Sequence, residues 1–173
     1  NSLDNSKEIY FDIKHEYNLK NIYFFSTKKN MGRGNLAAMS LKNELKNLLK
    51  TKYLFRIDSD DFIIDNKKFQ KQIDFLEKNP YLIATSHRYK LLKNDKLQNS
   101  EKVFTGLITA RMKIKNMFFP KSHSLYNHTS TYMFRNIFES VLPPMFQKYK
   151  FIWGDVLYNY NYLNYGPIFV FDN

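Results

Sequence analysis

Tyr53-Leu54-Phe55-Arg56-Ile57-Asp58-Ser59-Asp60-Asp61 passes within a few residues from an apolar run into three carboxylates. Residues 53–58 predict a buried strand. Residues 66–78 then predict a helix, stopped at Asn79-Pro80 because the residue before a proline is pushed out of helical geometry. Residues 81–87 (YLIATSH) return to strand. Upstream, residues 6–17 carry Ile9, Tyr10, Ile13 and Tyr17 at helical spacing behind a cap at Asn5 or Ser6. Residues 21–27 (NIYFFST) are a short apolar run that predicts a strand. Residues 30–34 (NMGRG) form a turn, and residues 35–50 place Leu36, Met39, Leu41, Leu45 and Leu48 on one helical face. The alternation of helix and strand through His87 implies an α/β fold with a mainly parallel sheet flanked by helices, because parallel neighbours require crossover connections.

Further on the pattern is thinner. Residues 90–102 are polar and predict an exposed loop. Residues 103–119 fit a helix or a broken strand, residues 130–134 (STYMF) a strand, and Pro143-Pro144 opens a short helix at residues 145–149. A helix over residues 155–165, ended by Gly166-Pro167, leads to a last strand at 168–171. No repeat or linker interrupts the chain, so a single domain over residues 1–173 is expected.

The bulk numbers bound the chemistry. Apolar residues are 43 % of 173, enough for a core, and the 16 Phe and 13 Tyr leave rings over for grooves and interfaces. The net charge of +11 favours anionic partners, among them nucleotides, phosphorylated lipids and an anionic membrane face. With no cysteine in the sequence, disulfides, thiolate metal sites and cysteine nucleophiles are excluded, in keeping with a reducing compartment. No apolar run reaches membrane-spanning length and the N-terminus has no signal-peptide pattern. A cytoplasmic chain is expected, at most peripheral to the inner face of a membrane.

Clustered carboxylates at a strand end repel one another unless a cation is present. The ligand crevice of an open α/β sheet lies at the C-terminal strand ends. Mg²⁺ or Mn²⁺ would supply the charge there, held by one or two carboxylates and by substrate phosphate. The competing reading is a helix N-cap with acidic residues in the first turn. His87, His123 and His128 are scattered without HxH or HxxxH spacing and do not spell a metal site.

From these residues outward the chain resembles the family 2 glycosyltransferases, inverting enzymes of GT-A fold, whose sheet is Rossmann-type. Five blocks carry the resemblance in order: Leu3-Asp4-Asn5-Ser6, Asn30-Met31-Gly32-Arg33-Gly34, Asp58-Ser59-Asp60-Asp61 as the DxD motif, His128 to Arg135 (HTSTYMFR), and Trp153-Gly154-Asp155. The family's first strand and helix, with its nucleotide-holding turn, would precede Asn1. Ala37-Ala38-Met39 stands where Ala-Arg-Asn is usual, and Gly154-Asp155 where Glu-Asp is usual.

The resemblance implies transfer of a sugar from a nucleotide-sugar, most commonly a UDP-sugar, to a hydroxyl of a glycan or lipid-linked acceptor. It further implies a place in bacterial surface polysaccharide synthesis, such as capsule. Asp4 would accept a hydrogen bond from the base, a position that equally suits an Asx-turn. Arg33 would meet a phosphate, or stay solvated on its loop. Asp58 would contact the ribose or the metal's water shell, Asp60 would bind Mn²⁺ or Mg²⁺ across the diphosphate, and Asp61 would support the metal site or cap the next helix. Asp155 would be the general base, or an N-cap.

Three rivals remain. An apolar strand before Asp-x-Asp also describes HAD-type phosphohydrolases, but Ile63 follows Phe62 and no acidic pair intervenes before Asp155. A sugar-phosphate nucleotidyltransferase would share the general fold. A basic nucleic-acid-binding module would explain the charge, yet no RNP, zinc-finger or helix-turn-helix signature accompanies it, so no nucleic-acid partner is expected.

Overall fold

Leu54 pairs across an antiparallel ladder with Phe134, and this long-range register sets the order of the sheet. The computed structural model describes residues 5–25, 48–100, 103–118, 125, 127–137 and 162–172. The chain divides into two units, Asn1–Leu48 and Leu49–Asn173. In chain order the elements are α1 (Ser6–Glu16), β1 (Tyr53–Phe55), α2 (Lys68–Lys78), β2 (Ala84–His87), β3 (Lys90–Lys93), β4 (Lys96–Asn99), β5 (Gly106–Ile108), α3 (Ala110–Phe118), a 3₁₀ turn (Thr129–Thr131), β6 (Met133–Arg135) and β7 (Ile168–Phe171).

In the first unit the expected helix forms as α1, with Asn5 at the N-cap position but no side-chain capping bond. Residues 21–25, expected as strand, are irregular and exposed. The Ile22 carbonyl is taken by side chains instead, Tyr10 Oη at 2.7 Å and Lys14 Nζ at 3.0 Å. The turn at 30–34, nearly all of the helix at 35–50, the helix at 145–149 and most of that at 155–165 lie outside the described residues.

The second unit is mixed α/β. Its main sheet has the order β1-β6-β2-β7-β5. Among the described residues only β2 and β7 pair in parallel; β1–β6, β2–β6 and β5–β7 are antiparallel. The sheet is therefore mixed, where alternation of elements had predicted mainly parallel neighbours. β1 and β2 do point the same way, as the intervening α2 requires. They are not neighbours, because β6 enters between them from much later in the chain. Apolar runs carry no mark of strand direction, so this insertion is invisible in the residues 130–134 that announce the strand.

Met133 and Phe134 of β6 are buried on opposite faces of the sheet, which suits their consecutive apolar side chains. Phe134 packs in a cluster with Ile83, Ile108, Tyr162, Ile168 and Val170, and its ring stacks on Tyr162 at 4.1 Å. Met133, on the opposite face, packs with Leu76 and Leu82 beneath α2. β7 divides in the same way: Ile168 and Val170 face the first cluster, while Phe169 faces the second and meets Phe75 at 4.7 Å. Arg135 closes the C-terminal end of α2, donating from Nη2 to Leu76 O and from Nε to Leu82 O at 2.7 Å. A cation there satisfies carbonyls that the helix leaves open.

Residues 90–102, expected as a loop, instead fold back as an exposed β3–β4 hairpin. Asn94 and Asp95 hold φ of 50° and 57° at its tip, the pair of left-handed residues that a tight hairpin turn demands. Residues 103–119 resolve into both of the readings left open, β5 followed by α3. Among the described residues no helix is long and apolar enough to cross a membrane.

Gly166 lets the chain turn into β7 against the strand beside it. A Cβ there would lie 2.7 Å from Tyr81 O and 3.2 Å from Ile83 N, both backbone atoms that cannot swing away. Gly166→Ala is expected to destabilise the fold by about 1–3 kcal/mol. A lowered urea midpoint with an unchanged slope would show it; an unchanged midpoint would mean that the backbone approach is looser than described.

Candidate functional site

β1 ends at Phe55, and the chain beyond it folds the three carboxylates into a turn. The Asp61 N–H donates to Asp58 O at 3.0 Å, closing the turn on itself. The Asp58 N–H donates to Ser130 Oγ at 2.9 Å, and the Ser130 hydroxyl in turn donates to Asp61 Oδ2 in a short hydrogen bond. One serine thus pins the backbone at the start of the turn and the carboxylate at its end.

Ser130 is itself held from three sides. It lies in the 3₁₀ turn, where the Thr131 N–H donates to His128 O at 3.0 Å. The buried Thr131 hydroxyl meets Ser86 Oγ at 2.7 Å, and Asn127 Nδ2 donates to Ser86 Oγ and to His87 O. These bonds moor residues 127–131 to the end of β2. From below, Lys68 Nζ donates to Ser130 O at 2.6 Å. Gln72, one turn further along α2, donates to Thr131 O at 3.0 Å.

His128 completes the arrangement. Its Nδ1 stands 3.3 Å from Asp61 Oδ2, and single ligand atoms of Asp58, Asp61 and His128 lie within 4.8 Å of one another. Arg56 Nη2 flanks the group at 3.4 Å from Asp58 Oδ1. Two carboxylate oxygens and an imidazole nitrogen at that spacing are able to share one divalent cation. The surroundings are only partly desolvated: the His128 side chain is 41 % exposed and that of Asp61 31 %.

The residues singled out from sequence separate accordingly. Asp58 and Asp61 are brought together. Asp60 is exposed and stands outside the three-residue group. Asp4, Arg33, Asp155, Trp153 and His123 lie outside the described residues. His128 had been set aside because no spacing pattern linked it to another ligand; its partner lies across the sheet, on the segment after β1. His87 turns elsewhere, its Nδ1 against Arg88 O, and burial lowers its pKa. Lys68 carried no motif, and Ser130 stood in the HTSTYMFR block with no role of its own assigned. The one trace of Lys68 in the sequence is its place at i−4 and i−8 from Gln72 and Leu76, on the buried stripe of α2. No protein-family model matches the chain, and no curated protein matches it.

Burial lowers the Lys68 pKa from 10.5 to about 8, opposed by attraction to Asp61. The ammonium also lies 4.1 Å from the Phe55 ring centroid. Burial lowers Lys113, in α3, to about 8 as well. For both groups the unfolded chain binds more protons than the folded one between pH of about 8 and 10.5, so unfolding free energy rises with pH across that window. The urea midpoint is expected to climb from pH 8 to pH 9.5 and to climb less steeply in Lys68→Met. An equal slope in that variant would place the Lys68 ammonium in water.

Proposed function

We propose that this chain is a metal-dependent, inverting glycosyltransferase of the GT-A type, acting on a nucleotide-sugar and an acceptor hydroxyl. The observation that carries the reading is the carboxylate turn after β1, tied by Ser130 to an imidazole-bearing segment beside β6. The ordered blocks from Leu3 to Asp155 that resemble the family support it from the sequence side. Asp58, Asp61 and His128 would hold the cation. Asp60, exposed beside them, is left to the ion's water shell. An imidazole among the ligands favours Mn²⁺ over Mg²⁺, which prefers oxygen alone.

In the transfer, the acceptor oxygen attacks C1 of the sugar opposite the nucleotide. The new C1–O bond forms as the bond from C1 to the phosphate oxygen breaks, and its electron pair leaves with the nucleoside diphosphate. The acceptor proton passes to Asp155. A bound divalent cation supplies positive charge to the departing diphosphate. Anionic donors also suit a chain of net charge +11.

The test is nucleotide release from UDP-, GDP- and CMP-sugars with and without Mn²⁺. Metal-dependent release from one donor class supports the proposal. Pyrophosphate release from a nucleoside triphosphate and a sugar phosphate would mark a nucleotidyltransferase instead. Asp155→Asn keeps the capping ability of the side chain and removes its basicity. It is expected to slow transfer by about 10²–10⁴-fold with donor affinity and melting temperature unchanged. A near wild-type rate in Asp155→Asn would put the base elsewhere.

A further inference from the structure

The β3–β4 hairpin projects with every one of its strand residues exposed. Its register places Leu92 opposite Leu97 and Lys93 opposite Lys96. Leu92 is 55 % exposed and Leu97 48 %, so an apolar cross-strand pair sits in water. Two ammonium groups directly opposite each other are destabilising by themselves. Both features oppose an isolated ribbon in solvent, and both are satisfied by one kind of surface: anionic on its outside and apolar just beneath.

We propose that this hairpin is a membrane-docking element that lies on anionic phospholipid. Leu92 and Leu97 share a face, which enters the boundary between headgroups and acyl chains. Lys93 and Lys96, on long flexible stems, reach round the ribbon to the lipid phosphates. Lys90 lies on the Leu92–Leu97 face and adds a third cation. The ribbon carries no aromatic ring between Lys90 and Asn99 on which a base could stack, which disfavours single-stranded nucleic acid as the partner.

The hairpin's position gives the contact a use. β1 and β2 are both antiparallel to β6 and so run in the same direction. The carboxylate turn follows the end of β1 and the hairpin follows the end of β2, so both leave the same edge of the sheet. Tyr89, at the hairpin's base, lies 5.4 Å from the His128 ring, centroid to centroid. Docking through the hairpin brings the Asp58–Asp61–His128 group towards the lipid surface. The inference stands on the hairpin itself and holds or fails whatever reaction the chain performs.

The absence of cysteine permits a direct test, since Leu92→Cys introduces a single labelling site. An environment-sensitive fluorophore at position 92 is expected to shift to the blue on vesicles of phosphatidylcholine mixed with phosphatidylglycerol. It should not shift on phosphatidylcholine alone, and a label at the exposed Gln70 should not shift on either. Replacing Lys90, Lys93 and Lys96 by Gln is expected to weaken vesicle partitioning about fivefold for each lysine, on the order of a hundredfold for the three. The hairpin is outside both core clusters, so the fold is expected to survive, with an unchanged circular dichroism spectrum as the control. The proposal is overturned if the chain ignores the anionic vesicles, or if it binds them with the label at 92 unshifted. A label at 92 that responds to a single-stranded oligonucleotide and not to vesicles overturns it as well.

Discussion

A single hydroxyl, that of Ser130, accepts from the Asp58 N–H and donates to the Asp61 carboxylate, and the geometry of the site depends on it. Without it, the turn would keep its own Asp61 N–H to Asp58 O bond and the flanking Arg56, but nothing would tie it to residues 127–131 through Ser130. With it, the turn is tied to residues 127–131, and His128 comes within reach of Asp61. The tie is not a surface accident. Lys68 and Gln72 hold the carbonyls of Ser130 and Thr131 from α2, and Ser86 and the His87 carbonyl at the end of β2 hold Thr131 and Asn127 of the same segment. Three elements distant in sequence therefore fix one hydrogen bond. Its removal would cost the desolvated partners about 1–3 kcal/mol.

β6 makes this convergence possible. By entering between β1 and β2 it carries the 3₁₀ turn to the place where β1 releases its carboxylates. The strand is tolerated there because both its faces are apolar and Arg135 spends its charge on the carbonyls at the end of α2. Lys68 reaches the site because α2 buries the stripe of Lys68, Gln72 and Leu76, two polar groups among them finding backbone carbonyls rather than each other.

Much of this was legible in the residues and some was not. The last strand, residues 168–171, and the helix ended by Asn79-Pro80 have local signals, an apolar run after Gly166-Pro167 in one case and a proline stop in the other, and both form. The carboxylate turn announced itself because three acids after an apolar run are costly without a purpose. Strand order had no local signal: nothing in STYMF says that its neighbours are residues 53–55 and 84–85. His128 was unreadable for the same reason, because a ligand set assembled across a sheet has no fixed spacing. The hairpin at 90–99 reads as a loop because residues 90–102 are mostly polar and show no apolar/polar alternation, and the folded strands have no buried face to impose one.

The central claim is that this pinned turn is a cation site. The most direct measurement is electron paramagnetic resonance of free Mn²⁺ titrated with the whole chain in the presence of UDP. The account predicts that the wild-type chain depletes the free-ion signal. It also predicts that Asp61→Asn and His128→Ala each weaken the depletion at least tenfold while circular dichroism is unchanged. Depletion equal to wild type in both variants, or none in the wild-type chain, would contradict it.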